Sequence, residues 1–350
     1  MVSGLRPLPA PGSWIIACRE FFEIDVAEEM QLASWKRTPR LLVPGLLAID
    51  GAPPKRPDGT SAALQLTFAR QAFPLGAAIQ GDDRFAERCA DALCAAAPGR
   101  GPVTFQWFVP DADQGNLLSQ PAARLGAEVE RLLAGRLGDR LEKGDPRRTG
   151  GWLAQLCLVE EFTALVGGVA AGSALSSYPG GRARMHVSAK APSRAAMKLA
   201  EALDWMGIAP EPGDVCVALG AAPGGWTFVL LELRAKVIAV DPGKLRGDLA
   251  QNKSVRTVHK SAFEYEPEEP VDWLLCDMAW RPLEVAALLA RWGRRRMART
   301  LVANIKLPMK RKAEFVARVR EIVETGGWGD MKTRHLYHDR EEITLTAWRR

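Results

Sequence analysis

Nowhere in this chain do eighteen apolar residues run without a charge, so the sequence offers no candidate for a membrane-spanning helix. There are only six cysteines, at 18, 89, 94, 157, 216 and 276, with no C-x-x-C pair and no histidine cluster beside them. That excludes a zinc ribbon and a disulfide framework and leaves buried free thiols, with no metal expected. No internal repeat and no low-complexity tract is present, and 47% hydrophobic with 25% charged residues is a globular composition. The first residues lack an apolar stretch ahead of a small-residue cleavage site, because Pro7, Pro9, Pro11 and Gly12 interrupt it. The expectation is a cytoplasmic protein.

The charge is unevenly placed. Residues 1–185 carry 20 Lys+Arg against 20 Asp+Glu, whereas residues 186–350 carry 27 against 21, so the whole net charge of +6 lies in the second half. A positive excess suits a polyanionic partner. Within it Arg291, Arg294, Arg295, Arg296 and Arg299 cluster, followed by Lys310, Arg311 and Lys312.

The first half reads as α+β. Val103, Phe105, Trp107 and Val109 alternate with Thr104, Gln106 and Phe108 as in a strand, while Phe85, Cys89 and Leu93 form one helix face. Leu125, Val129 and Leu132 mark another helix, 152–159 and 163–170 two more strands, 51–59 a long loop and 176–192 an inter-domain connection. From Ser193 the pattern becomes regular. Apolar runs at 214–220 (DVCVALG), 236–240 (KVIAV), 271–276 (VDWLLC) and 301–305 (LVANI) are separated by helix-like stretches. Short buried runs spaced by helices are the mark of a parallel sheet covered on both faces, so a doubly wound α/β domain is expected.

Between the first of these strands and the following helix stands Gly220-Ala221-Ala222-Pro223-Gly224-Gly225-Trp226. Backbone N–H groups at such a turn face a ligand at the carboxyl edge of the sheet, and Asp241, ending the next strand, is placed to accept from a ribose diol. The turn departs from G-x-G-x-x-G, and Pro223 removes an amide that a pyrophosphate would use. A nucleoside cofactor without a pyrophosphate fits better than a dinucleotide. Charged residues then appear where they are costly. Asp277 follows VDWLLC, Lys306 follows LVANI, Glu342 opens a terminal strand ITLTAW, and Lys198 lies on the helix before the first strand. Strand ends on one edge converge, which brings Asp277 and Lys306 towards the cofactor.

The ordered set Lys198, Asp277, Lys306, Glu342 around a GAAPGGW turn resembles the K-D-K-E tetrad of FtsJ-like RNA 2'-O-ribose methyltransferases. More narrowly, the stretches APSRAAMKL, LGAAPGGWT, CDMAWRP, NIKLPMK and LYHDREEIT, spanning most of residues 191–346, resemble the family of ribosomal large-subunit (23S) RNA methyltransferase M. The resemblance implies a Rossmann-like seven-stranded methyltransferase domain over 186–350, preceded by a ferredoxin-like domain over 1–75 and a THUMP-like RNA-binding domain over 76–185. It implies S-adenosylmethionine as cofactor, RNA as partner with neither DNA nor a membrane, and a cytidine ribose of large-subunit RNA as acceptor. Ser193, the run Ala222, Pro223, Gly224 and Gly225, Asp241 and Asp277 correspond to cofactor contacts and Lys306 to the proton acceptor, and Gly220 and Trp226 of the same turn are counted with the cofactor site. Where the family has an aspartate towards the adenine, this chain has Ser261, a weaker acceptor.

Such chemistry requires the hydroxyl proton to be taken, and a lysine does this only if made less basic. Two lysines facing one another, partly buried, are expected to lower each other, with Asp277 and Glu342 opposing the shift. Trp226 reads as a packing residue of the turn, and His335 and His338 as lining the cleft or flanking the last strand. Other readings stay open: an inactive methyltransferase fold that binds RNA through its basic runs, an enzyme acting on a different RNA, a base methyltransferase, or Cys276 as a nucleophile for C5 chemistry. An amino-directed enzyme would carry N/D-P-P-aromatic where this chain has Asp277-Met278-Ala279-Trp280.

Overall fold

The computed structural model describes residues 7–56, 59 and 61–349, except for the side chain of Leu64. The chain divides into two compact units, Met1–Arg182 and Ala183–Arg350.

The first unit is built on one eight-stranded sheet. Its strands are β1 (Trp14–Cys18), β2 (Arg40–Val43), β3 (Leu46–Ile49), β4 (Ala69–Gln80), β5 (Val103–Phe108), β6 (Leu141–Glu142), β7 (Trp152–Glu160) and β8 (Thr163–Ala170). They lie in the order β2-β3-β1-β4-β8-β7-β5-β6. β4 is the joint. Its first half pairs with β1, up to Pro74 opposite Trp14, and its second half pairs with β8 from Leu75 opposite Gly167. The sheet is therefore continuous through residue 75. The helices of this unit are α1 (Glu23–Leu32), α2 (Phe85–Ala96), α3 (Asp113–Leu117), α4 (Ser119–Leu137) and α5 (Pro146–Thr149). Phe85, Cys89 and Leu93 of α2 and Val129 and Leu133 of α4 share one core with Ala154, Leu156 and Val166 of the sheet. Expected alternation in β5 gives way to burial on both sides, since Thr104, Gln106 and Phe108 are as enclosed as Val103. The reason lies in the segment after β8, whose Ser177 carbonyl accepts from the Gln106 amide at 2.6 Å and whose Ser176 carbonyl accepts from Gln71 at 3.0 Å. The loop expected over 51–59 holds one isolated bridge, Lys55 to Ser61. Positions 57 and 58 of it lie outside the described residues.

The second unit carries seven strands, β9 (Val215–Leu219), β10 (Lys236–Val240), β11 (Val255–Val258), β12 (Val271–Cys276), β13 (Ala298–Lys306), β14 (Trp328–Arg334) and β15 (Glu342–Arg349). Their order is β11-β10-β9-β12-β13-β15-β14. The first five are parallel, and β15 runs antiparallel to both β13 and β14. α6 (Ala195–Met206), α7 (Gly225–Glu232), α8 (Pro282–Arg294) and α9 (Lys312–Glu324) accompany them. Five apolar residues suffice for β9 because it is covered on both faces, with Cys216 to Leu219 all but inaccessible. α8 starts with Pro282, whose fixed φ and missing N–H are tolerated in a first turn. Val285, Leu288, Leu289 and Trp292 form its buried stripe. Strand order reverses between β9, whose successors lie on one side, and β12, whose successors lie on the other. In an open α/β sheet that switch opens a crevice at the carboxyl ends of the strands.

Candidate active site

Topology alone delivers four of the singled-out residues to that crevice. Gly220 follows β9, Asp241 follows β10, Asp277 follows β12, and Lys306 closes β13. Glu342 arrives from the opposite direction. Because β15 is antiparallel to β13, its first residue lies at the edge where β13 ends, and the register pairs Lys306 with Glu342.

The glycine turn is fastened to the neighbouring strand. Gly220 N–H donates to the Val240 carbonyl at 3.0 Å, and the Asp241 carboxylate accepts from Ala222 N–H at 3.1 Å and Gly243 N–H at 2.7 Å. The Pro223 carbonyl accepts from Arg246 N–H at 2.9 Å. Gly220 has φ +73°, and a Cβ there would stand 2.9 Å from the Asp277 carbonyl oxygen, so turn and β12 end touch only because the side chain is absent. At Gly225 a Cβ would stand 2.3 Å from Ser193 Oγ. That hydroxyl is buried and finds no hydrogen-bond partner among the described residues. An orphaned buried polar atom costs stability unless something fills its need. Gly224, the cap of α7, supplies no side-chain acceptor, so the first amides of α7 remain available as donors. Orphaned hydroxyl, free amides and the Asp241 carboxylate are a donor and acceptor set that fits a nucleoside cofactor. Trp226 stands apart: it is 4% exposed and belongs to the core with Leu199, Leu203 and Leu230. Ser261, after β11, closes a local turn by accepting from Phe263 N–H at 3.3 Å.

Lys198, in the first turns of α6, pairs with Glu342 Oε1, and Lys306 pairs with Glu342 Oε2. The glutamate side chain is 5% exposed, those of Lys198 and Lys306 16% and 35%, so the carboxylate is the most deeply enclosed of the three. The expected depression of the lysines is overturned for Lys306. Burial does push its ammonium down, but the hydrogen bond and charge of Glu342, with Asp277 and Asp339, outweigh it and hold Lys306 above its ordinary value. The lysines share a carboxylate, one on each oxygen, instead of facing one another. Burial likewise pushes Glu342 up, yet the two lysines win and hold it low. Asp277 goes the other way, raised by desolvation against the pull of Lys198 and Lys306.

Sequence reasoning missed the polar layer behind this group. Glu201, three residues past Lys198 on α6 and 3% exposed, accepts from Tyr337 N–H at 2.7 Å and His338 N–H at 2.8 Å. Asp339, fully buried, accepts from Leu336 N–H and from Thr344 Oγ1, both at 3.0 Å, and Thr344 also reaches Asn304 at 3.1 Å. Asn304 and Thr344 pair in the β13–β15 register two residues before Lys306 and two after Glu342. They therefore share the tetrad's face of the sheet. The available signal was a polar residue inside LVANIK. His335, fully buried, has Nε2 at 2.9 Å from the Arg340 carbonyl, and His338 Nε2 accepts from Met185 N–H at 3.2 Å. Both histidines organise the segment before β15.

Burial raises the Asp339 carboxyl well above the usual range, with Glu201 and Glu342 adding to it. Above the unfolded value of about 3.9 the folded protein retains a proton that the unfolded chain has lost, so this group lowers stability as pH rises towards its folded pKa. Asp339→Asn is a near-isostere of the neutral acid. Its melting temperature, compared with the unaltered protein from pH 5 to 9, is expected to gain on it as pH rises until the folded carboxyl ionises; a constant difference would show that Asp339 is ionised in the fold throughout.

The basic runs separate. Arg291 to Arg299 occupy the end of α8 and the start of β13, at the edge opposite Lys306. Arg291 donates to the Phe263 carbonyl at 2.7 Å, Arg294 to Thr325 at 3.2 Å, Arg295 pairs with Glu266, and Arg299 lies 3.3 Å from Asp272. Lys310, Arg311 and Lys312 stand on the tetrad's edge, where Lys312 is buried and Arg311 pairs with Glu314. Cys276 is inaccessible, and burial pushes its thiol up to about 12, which removes it as a nucleophile. No helix among the described residues is long and apolar enough to cross a membrane.

Residues 191–312 match the family model described as FtsJ-like methyltransferase. Over 96% of this chain and 94% of its own length, the ribosomal RNA large subunit methyltransferase M of Alkalilimnicola ehrlichii is 36% identical. That of Halorhodospira halophila is 34% identical over 96% of each chain, and that of Xanthomonas oryzae pv. oryzae 34% over 95% of this chain and 98% of its own. A likeness of that level, sustained from the first unit through the second, means that the chain belongs to the ribosomal RNA large subunit methyltransferase M family.

Proposed function

We propose that the protein transfers a methyl group from S-adenosylmethionine to the 2'-hydroxyl of a cytidine in large-subunit (23S) ribosomal RNA. The observation that carries this reading is the Lys198–Glu342–Lys306 bridge at the carboxyl edge, next to a glycine turn with a buried, unpartnered Ser193 hydroxyl. Ser193, Gly220, Ala222, Pro223, Gly224, Gly225, Asp241, Ser261 and Asp277 would hold the cofactor. When bound, it supplies the methyl group and, as a sulfonium, a positive charge that pushes a neighbouring lysine towards the free amine. Lys306 would orient the 2'-hydroxyl and accept its proton while the methyl carbon exchanges its bond to the sulfonium sulfur for one to the ribose oxygen, with a neutral thioether as the leaving group. Glu342 holds the resulting ammonium, and Lys198 keeps the second carboxylate oxygen in place. The charged partners thus set the geometry before reaction.

We assign residues 1–75 to a ferredoxin-like and 76–185 to a THUMP-like lobe on the RNA, and we place the protein in the cytoplasm. The test is transfer of labelled methyl to unmodified large-subunit RNA, with the product mapped by resistance of the adjoining bond to alkali. One alkali-resistant cytidine linkage is expected. An alkali-sensitive product would move the reaction to a base, and cofactor binding without transfer would favour a different RNA or an inactive RNA-binding protein.

A further inference from the structure

Two large apolar side chains are exposed on the reactive edge, and the bridge of Lys198, Glu342 and Lys306 does not use them. Trp280 is 51% exposed and stands three residues past Asp277, and Met309 is 94% exposed and stands three residues past Lys306. Their strands, β12 and β13, are paired neighbours, with Cys276 opposite Ala303. Three residues of chain keep the Trp280 backbone within about 11 Å of Asp277. The indole is also held still. Its Nε1–H donates to Glu284 Oε2 at 2.8 Å, and its ring rests against Phe263 with centroids 5.9 Å apart. Glu284 is in turn engaged by Arg281 at 3.1 Å. A solvent-facing tryptophan fixed on two sides has already lost its rotamer freedom, and its open face is a preformed stacking surface. Beside Met309, Lys310 is exposed and makes no ion pair among the described residues, and it follows β13 as Trp280 follows β12, on the same edge of the sheet.

We infer that Trp280 is a nucleobase-stacking site that takes an unpaired base of the RNA, at or next to the acceptor nucleotide, with Lys310 facing its phosphate. Single-stranded nucleic acid is held in this manner, by an aromatic face for the base and a cation for the backbone. Any base suffices for stacking, so the site contributes affinity and presentation of the ribose more than sequence choice. The inference rests on RNA being the substrate, and its test does not depend on methyl transfer succeeding.

Binding of a fluorescein-labelled single-stranded oligocytidylate is measured for the unaltered protein, Trp280→Ala and Trp280→Phe, together with binding of S-adenosylmethionine. Alanine is expected to weaken oligonucleotide binding about tenfold, and phenylalanine, which keeps a ring but not the indole N–H, to stay within about threefold. Cofactor binding is expected to be the same in all three. An unchanged oligonucleotide Kd in Trp280→Ala would overturn the proposal, and so would a loss confined to the cofactor, which would place the indole on the adenine. Failure of the unaltered protein to methylate large-subunit RNA would count against the ribose reaction, while the oligonucleotide arm would still decide the role of Trp280.

Discussion

Lys306→Ala is expected to lower methyl transfer by about 10²- to 10⁴-fold, the range that a positioned proton acceptor contributes, while S-adenosylmethionine binding stays within a few-fold. The substitution is informative because it spares the fold. The Lys306 side chain is 35% exposed, and its removal leaves Glu342 still paired with Lys198, so no buried carboxylate is stranded. Lys306→Arg separates charge from proton transfer: a guanidinium keeps the positive charge but does not give up its proton near neutral pH, so it is expected to be as inactive as alanine. Recovery of activity by arginine would make Lys306 an electrostatic anchor only. The pH profile follows from the same geometry. Glu342, with Asp277, holds Lys306 above its ordinary value despite its burial. A base must be deprotonated to act, so kcat/KM, which reports the free enzyme, is expected to climb through pH 9 without a plateau. A flat profile from pH 6 to 9 would remove Lys306 as the titrating acceptor.

What the sequence disclosed of this site was its topology. A charge directly after a short apolar run, repeated at Asp241, Asp277 and Lys306, is readable because parallel strands deliver their ends to one edge. The sign of the Lys306 shift was not readable, since it depends on which oxygen of Glu342 each lysine meets. Glu201 was hidden for a different reason. On α6 it resembles a solvated helix residue, and its burial appears only when residues 337 and 338, more than 130 positions away, fold back onto it. β11 (VRTV) and β14 (WGDMKTR) escaped as well, because edge strands carry polar residues and lack the continuous apolar run of the central ones. In the first unit the boundary at 75 comes with the resemblance and not from a break in the sequence pattern, and β4 pairs with β1 before that point and with β8 after it.

Glu342→Ala is expected to damage both stability and reaction, and to change how the remaining lysine titrates. Removing one member of a buried ion pair costs roughly 3–5 kcal/mol, and the lower part of that range applies because Lys306 keeps contact with water. With Glu342 gone, the first of the influences on Lys306, burial, loses its main opponent, and Lys198 becomes a near cation without a shared anion. The Lys306 pKa should therefore move down, and whatever transfer survives should reach its plateau at lower pH than in the unaltered protein. Stability carries the complementary signature. Glu342 is held low, so its contribution is present above the unfolded value of about 4.3 and fades as pH falls through the folded one. Lys306 is held high, so its contribution is complete below the unfolded value of about 10.4 and fades as pH rises through the folded one. Urea unfolding of the two proteins should differ most between these limits and converge outside them. A difference that persists unchanged at pH 3 would mean that the glutamate acts through packing, and the lysines would then need another explanation for sharing the edge with Asp277.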